Sequence, residues 1–381
     1  MCARTCAYAV LSICCSVCLR GQEKPADPQS LLNDARASYM HGDYPAARAA
    51  LDQAWKLAQA QLPEDSPVRY DVLKRLALAN AATGGFNDAD MYLQLAIWWR
   101  EKVNGPADPK IADDLTQEAS YCRAMKDFDR GLALLQRAME MHRAGAGGVD
   151  SVAVADDYSR MAEIDTDRHR PVDAVGALNM AIAIHSKLTG PLDPSVVPDL
   201  DRLGPVYISL GEYDNAEWIF RQALLIRESV YGNKNPDLIA TVDGLAYALF
   251  GEKKYDEADP LYQRLLGLWV DSVGEKHAMV AMALDKIAVF YTEQKKFQQA
   301  KDASDRANAI RSYGLAMGLG TEAARLQPTN PDEARDLYRR ALRALDPPNP
   351  IYDELHAKLA ANLELLKPGK PAAKTGEKTA R

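Results

Sequence analysis

The sequence predicts an all-α fold, a right-handed superhelical solenoid of antiparallel helix pairs, and three observations carry that prediction. An aromatic-x-x-small pattern recurs with a period of about 42 residues. Two further columns of small residues keep the same period, and glycine and proline punctuate the chain at matching points. Self-similarity at such a period marks stacked units, each too small to bury its apolar face alone.

The pattern stands at Tyr44…Ala47, Phe86…Ala89, Phe128…Gly131, Tyr213…Ala216, Tyr255…Ala258 and Phe297…Ala300, with Pro171…Ala174 filling the same slot between the third and fourth. Successive slots are 42, 42, 43, 42, 42 and 42 residues apart. Nine residues before each slot stand Ala35, Ala77, Ala119, Ala162, Gly204, Ala246 and Ala288. Ten after it stand Ala54, Ala96, Ala138, Ala181, Ala223, Leu265 and Ala307. Small residues at fixed points on two successive helices let the backbones approach. Leu31, Leu73, Leu115, Tyr158, Leu200, Val242 and Leu284, four before the first small column, complete an apolar helical stripe.

Gly42, Gly84 and Gly211 lie two residues before a slot, where the first helix of a pair must end on a left-handed residue. Gly105, Gly148, Gly190, Gly232 and Gly274 close the repeats, and Pro109, Pro194 and Pro236 open the next helix. The single extra residue falls in the loop Ala144-Gly145-Ala146-Gly147-Gly148, where insertions are tolerated.

These columns resemble the tetratricopeptide repeat. The 42-residue period and links such as Gly232-Asn233-Lys234-Asn235-Pro236-Asp237 resemble its kinesin-light-chain subtype, most closely from Val196 to Ala300. The resemblance covers about residues 29–310 as seven repeats and implies a scaffold for proteins or peptides. Residues 311–345, with Pro331, Ala334 and Ala341, read as a divergent eighth repeat whose first helix is weakened by Gly314, Gly318 and Gly320. Residues 346–366 read as a capping helix, and 367–381 as a basic tail with nothing to bury, expected to be disordered.

Residues 1–20 hold Arg4, an apolar stretch from Ala7 to Leu19, and five of the six cysteines. They read as a signal peptide followed by a linker over 21–28, which makes the mature chain exported, periplasmic or secreted. Without cleavage the chain is membrane-anchored or cytoplasmic. Cys122 is then the one remaining cysteine of the mature chain, expected as a buried free thiol. A net charge of −7 with no concentrated basic face argues against nucleic acid as a partner. Beyond the N-terminus no apolar run reaches the ~20 residues that span a bilayer.

Motifs for chemistry are missing from the sequence. It has no His-Glu-x-x-His, no second Cys-x-x-Cys to pair with the one from Cys15 to Cys18 in the N-terminal segment, and no Gly-rich loop followed by Lys-Ser/Thr. The expectation is therefore no catalysis, no cofactor and no metal. The resemblance places the first helix of each pair along a concave groove, which directs attention to its acids. Asp71, Asp113, Asp156 and Asp199 stand early in these helices, where they suit the helix dipole as well as a partner. Asp201, Asp243 and Asp285 lie deeper, as a row for a basic segment or as a face paired with neighbours such as Arg202 and Lys286.

Peptide-clamping relatives carry asparagines nearby. Here the matching residues are Arg75, Gln117, Arg160, Arg202, Gly244 and Lys286, with Asn33 alone fitting. The five tryptophans fall on second helices, where core packing is the default. Trp98 and Trp99 are the exception: adjacent helical residues point about 100° apart, so one of them is expected to be exposed. Pro205 should kink the first helix of the fifth repeat. A second reading is a sensor that binds a small peptide or metabolite in the groove.

Overall fold

The computed structural model describes residues 27–145 and 148–366. The signal-peptide, most of the linker and the basic-tail expectations fall outside these residues. The chain divides into two compact units, 1–190 and 191–381.

In the first unit the helices are α1 (Pro28–Met40), α2 (Tyr44–Gln61), α3 (Pro67–Ala82), α4 (Phe86–Asn104), α5 (Lys110–Ala124), α6 (Phe128–Ala144), α7 (Val152–Asp167) and α8 (Pro171–Thr189). Each odd-numbered helix packs on the even one that follows, and each pair on the next. The slot residue is the first residue of α2, α4, α6 and α8, so the sequence pattern and the helix boundary coincide. Ala35, Ala77, Ala119 and Ala162 are buried on the first helices, and Ala54, Ala96, Ala138 and Ala181 on the second.

The second unit repeats the scheme with α9 (Val197–Leu210), α10 (Tyr213–Tyr231), α11 (Ile239–Gly251), α12 (Tyr255–Val273), α13 (Ala278–Glu293), α14 (Phe297–Leu326), α15 (Pro331–Ala344) and α16 (Asp353–Leu365). Pro194 and Pro236 each open a single 3-10 turn that leads into α9 or α11, rather than the α-helix itself. Helix α9 runs through Pro205 without ending.

All seven first helices end the same way. Gly42, Gly84, Lys126, His169, Gly211, Lys253 and Lys295 adopt positive φ between 58° and 80°. The amide after each one bonds the carbonyl five residues back, as in Asp43 to Ser38, Asp127 to Cys122 and Lys254 to Leu249. That bond satisfies a carbonyl the helix end would otherwise leave open. Four repeats therefore hold a non-glycine residue in a conformation that costs about 1–2 kcal/mol.

The boundary expected at 310/311 is absent. Helix α14 is one 30-residue helix that serves as second helix of the seventh repeat and, past residue 310, as first helix of the eighth. Gly314 and Gly318 face solvent, whereas Gly320 is buried. A Cβ at Gly320 would lie 2.5 Å from Leu359 Cδ2, so its lack of a side chain is what lets α16 close on α14. Leu355 and Leu359 of α16 and Tyr338 of α15 complete that end of the core, and Arg335 donates to the Leu366 carbonyl at 2.9 Å.

Cys122 is fully buried on α5 and free. Burial pushes its thiol up to about 12, so it stays protonated near pH 8. Iodoacetamide is expected to leave Cys122 unmodified in the native protein and to label it only at urea concentrations that unfold α5. Mass spectrometry of the Cys122 peptide checks this; rapid native labelling contradicts it.

Candidate functional site

A polar ladder runs through the first unit. Fourteen residues after the slots stand Arg100, His142 and His185, on α4, α6 and α8. The next first helices bring aspartates to the first two. Asp114 is fully buried, accepts from Tyr70 Oη and Lys74 Nζ at 2.6 Å each, and lies 3.8 Å from Arg100 Nε. Arg100 stacks 3.8 Å above the Tyr70 ring and bonds Asp108 at 3.0 Å. Asp157 is likewise buried, 2.7 Å from His142 Nδ1 and 3.0 Å from Thr116 Oγ1. Burial raises the Asp157 carboxyl above the usual range despite the opposing His142 bond. These groups are spent on each other inside the stack.

The predicted acids separate by register. Asp71, Asp113 and Asp156 are exposed; His142 Nε2 is 3.6 Å from Asp113 and His185 Nε2 is 4.0 Å from Asp156. Asp199 departs from them. It stands five residues before Gly204, in the column of Asp114 and Asp157 relative to Ala119 and Ala162, and like them it is buried, 3.5 Å from Arg202. One residue of register turns a helix position through about 100°, which decides between solvent and core.

In the second unit the deeper row is neutralised within the chain. Asp201 takes two bonds from Arg227 at 2.6 and 2.5 Å. Asp285 takes two from Arg311 at 2.7 and 3.2 Å. Arg227 and Arg311 share the ladder column of Arg100, but in the repeat between them the column holds Trp269. Asp243 accordingly pairs with Lys286 of the next first helix. Of the two partners expected for this row, Lys286 serves Asp243, whereas Arg202 lies against Asp199.

One turn beyond each of these aspartates stands an exposed apolar residue: Pro205, Tyr247 and Val289, spaced by 42. Tyr247 is 45% and Val289 57% exposed, and Met282 on α13 joins them at 52%. The sequence held the signal for this row, three apolar residues one place after the small column, but the acids drew the attention.

Trp98 is exposed and Trp99 buried, as the helical geometry requires. Trp55 and Trp269 are partly buried, but Trp218 is 60% exposed, against the default of core packing for second helices. Trp218 falls five residues after its slot, on the outward face that Met91 occupies in α4.

Family models described as tetratricopeptide repeat match residues 200–237 and 237–312. Residues 200–312 are tetratricopeptide repeats. The same columns and helix pairs extend the repeat through the first unit. No curated protein matches the sequence. Among solved structures, the C-terminal part of a tetratricopeptide repeat-containing protein from Cytophaga hutchinsonii is similar at 17% identity, covering 80% of this chain and 98% of that one, with a TM-score of 0.52. The apo form of the quorum sensor NprR from B. thuringiensis is similar at 15% identity over 89% and 87%, TM-score 0.50. BtubC from P. vanneervenii is similar at 20% identity over 64% and 91%, TM-score 0.50. At these identities the likeness is one of fold, an array of antiparallel helix pairs. Among the described residues no helix is long and apolar enough to cross a membrane.

Proposed function

We propose that this tetratricopeptide repeat protein is a non-catalytic scaffold or adaptor that binds a protein or peptide along the first-helix face of its second unit. The observation that carries the reading is the exposed row Pro205, Tyr247 and Val289. Apolar surface at one face of three successive repeats gains about 25 cal/mol per Å2 when a partner covers it. Because Arg227, Lys286 and Arg311 already hold the adjacent aspartates, a basic partner segment has little charge left to meet. The partner therefore contributes apolar side chains, with polar groups beside the ion pairs.

The test is affinity purification of the C-terminally tagged full-length chain from its native cells, beside a Val289→Asp variant. A defined set of proteins retained by the parent chain and lost from the variant, at equal thermal stability, is the expected result. A bait recovered alone, or a set indifferent to the substitution, overturns the reading. The same reading makes the chain an exported one, on the strength of residues 1–20 alone. A bait whose native N-terminus lies near residue 20 supports export; one that begins at Met1 excludes a cleaved signal peptide.

A further inference from the structure

The first unit contains a cleft of about 610 Å3 between α2, α4 and the segment that joins α2 to α3. Trp55, Leu95 and Trp98 supply its apolar walls, and Glu64, Asp65 and Lys102 stand at its rim. Its apolar walls come from second helices of the first unit, whereas the face assigned above to the partner belongs to first helices of the second unit. Three features of its construction point to a ligand.

The rim is fixed. Trp99, the buried neighbour of Trp98, donates its indole N–H to the backbone carbonyl of Glu64, which ties the joining segment to α4. The rim also presents a carboxylate without an ion pair. Arg69, the other cation lining the cleft, is bonded to the carbonyls of Ala58, Gln59 and Leu62, where it caps α2. Lys102 pairs with Glu64 at 2.9 Å, and Asp65 has no ion pair among the described residues. Finally, the chain itself displays the chemistry that fits. The Lys102 ammonium sits 5.2 Å from the centre of the Trp98 ring while bonded to the Glu64 carboxylate. A cation is thus held between an indole face and a carboxylate, with Trp98 57% exposed and Leu95 42% exposed beside it.

We infer that this cleft binds an arginine side chain of a partner polypeptide, flanked by aliphatic residues. The guanidinium stacks on Trp98 and pairs with Asp65 and Glu64, and the aliphatic flank lies against Leu95 and Trp55. A planar guanidinium suits the site better than a second ammonium, because it stacks on an aromatic face and still offers paired donors to a carboxylate. Lys102 is its internal competitor: it occupies the same indole face and the same carboxylate in the free protein.

The probe is acetyl-Leu-Arg-Leu-amide, compared with its citrulline counterpart, which keeps the shape and loses the charge. Binding is read from the 19F resonances of the full chain labelled with 5-fluorotryptophan, the Trp98 signal being the one absent from Trp98→Phe. The expected result is a saturable shift of that signal, weaker by about ten-fold with the citrulline peptide and in the double variant Glu64→Gln, Asp65→Asn. Lys102→Met, with its competitor removed, is expected to bind the arginine peptide more tightly than the parent chain. Equal shifts from both peptides, no shift of the Trp98 signal, or weaker binding by Lys102→Met would each overturn the inference. Matching 19F spectra of the free variants at the other tryptophans establish that they are folded. Val289→Asp is expected to bind the peptide unchanged, which separates this site from the first-helix face.

Discussion

Asp114→Ala is expected to destabilise the first unit by about 3–5 kcal/mol, the cost of removing one partner from a buried charge pair. The carboxylate is fully buried, and three groups converge on it: Tyr70 Oη and Lys74 Nζ by hydrogen bonds, Arg100 by charge at 3.8 Å. Without it Arg100, itself buried, keeps only Asp108 as an ion-pair partner, and the Tyr70 hydroxyl loses its acceptor. Its neighbour Asp113 is exposed, and Asp113→Ala is expected to change stability by no more than about 0.5 kcal/mol. Urea unfolding followed by circular dichroism measures both. The decisive quantity is the difference between adjacent positions. Equal and small losses would mean that the buried network contributes nothing beyond its packing.

Phe220→Ala in the second unit should cost a similar amount, about 3–5 kcal/mol. The ring of Phe220 enters between α9 and α11 at two glycines. A Cβ at Gly204 or at Gly244 would lie 2.4 Å from Phe220 Cζ, closer than atoms can stand. Gly244→Ala alone therefore forces the ring aside and costs about 1–3 kcal/mol. Placed in the Phe220→Ala background, the same methyl group occupies part of the vacated space. The double variant is expected to be at least as stable as Phe220→Ala by itself, a coupling expected only of residues in contact. A double-mutant cycle in urea tests it, and simple addition of the two losses would show that the glycines are small for some other reason.

Gly204 and Gly244 also show how far the sequence could be read. Gly204 fell in the small column and was legible as a helix-packing residue. Gly244 sits two places before Ala246 and looked like a failed peptide-clamping position. Its reason lies on another helix, in the ring of Phe220, and no local pattern announces it. The left-handed helix ends show the same division. Glycine advertised three of the seven, whereas Lys126, His169, Lys253 and Lys295 adopt the same backbone because the repeat around them imposes it.

The acids divide along the same line. The spacing of Asp201, Asp243 and Asp285 was visible, and so was the proximity in sequence of Lys286. That Arg227 and Arg311 reach back from the second helix of the same repeat, and that Trp269 denies Asp243 such a partner, depends on how the two helices face each other. His142 and His185 looked scattered until the fold placed them in one column, with His142 against the buried Asp157.

By itself, then, the sequence determined the repeat, its period, the helix pairing and the small columns, because each of these follows from periodicity within about 42 residues. Tertiary structure alone decided which acids are neutralised, which tryptophans are exposed, that α14 runs unbroken through the start of the eighth repeat, and where a cleft opens beside Trp98. The physical reason is that burial and pairing are properties of residues meeting across helices. A shift of one residue in register, invisible in composition, turns a side chain by about 100° and exchanges solvent for core.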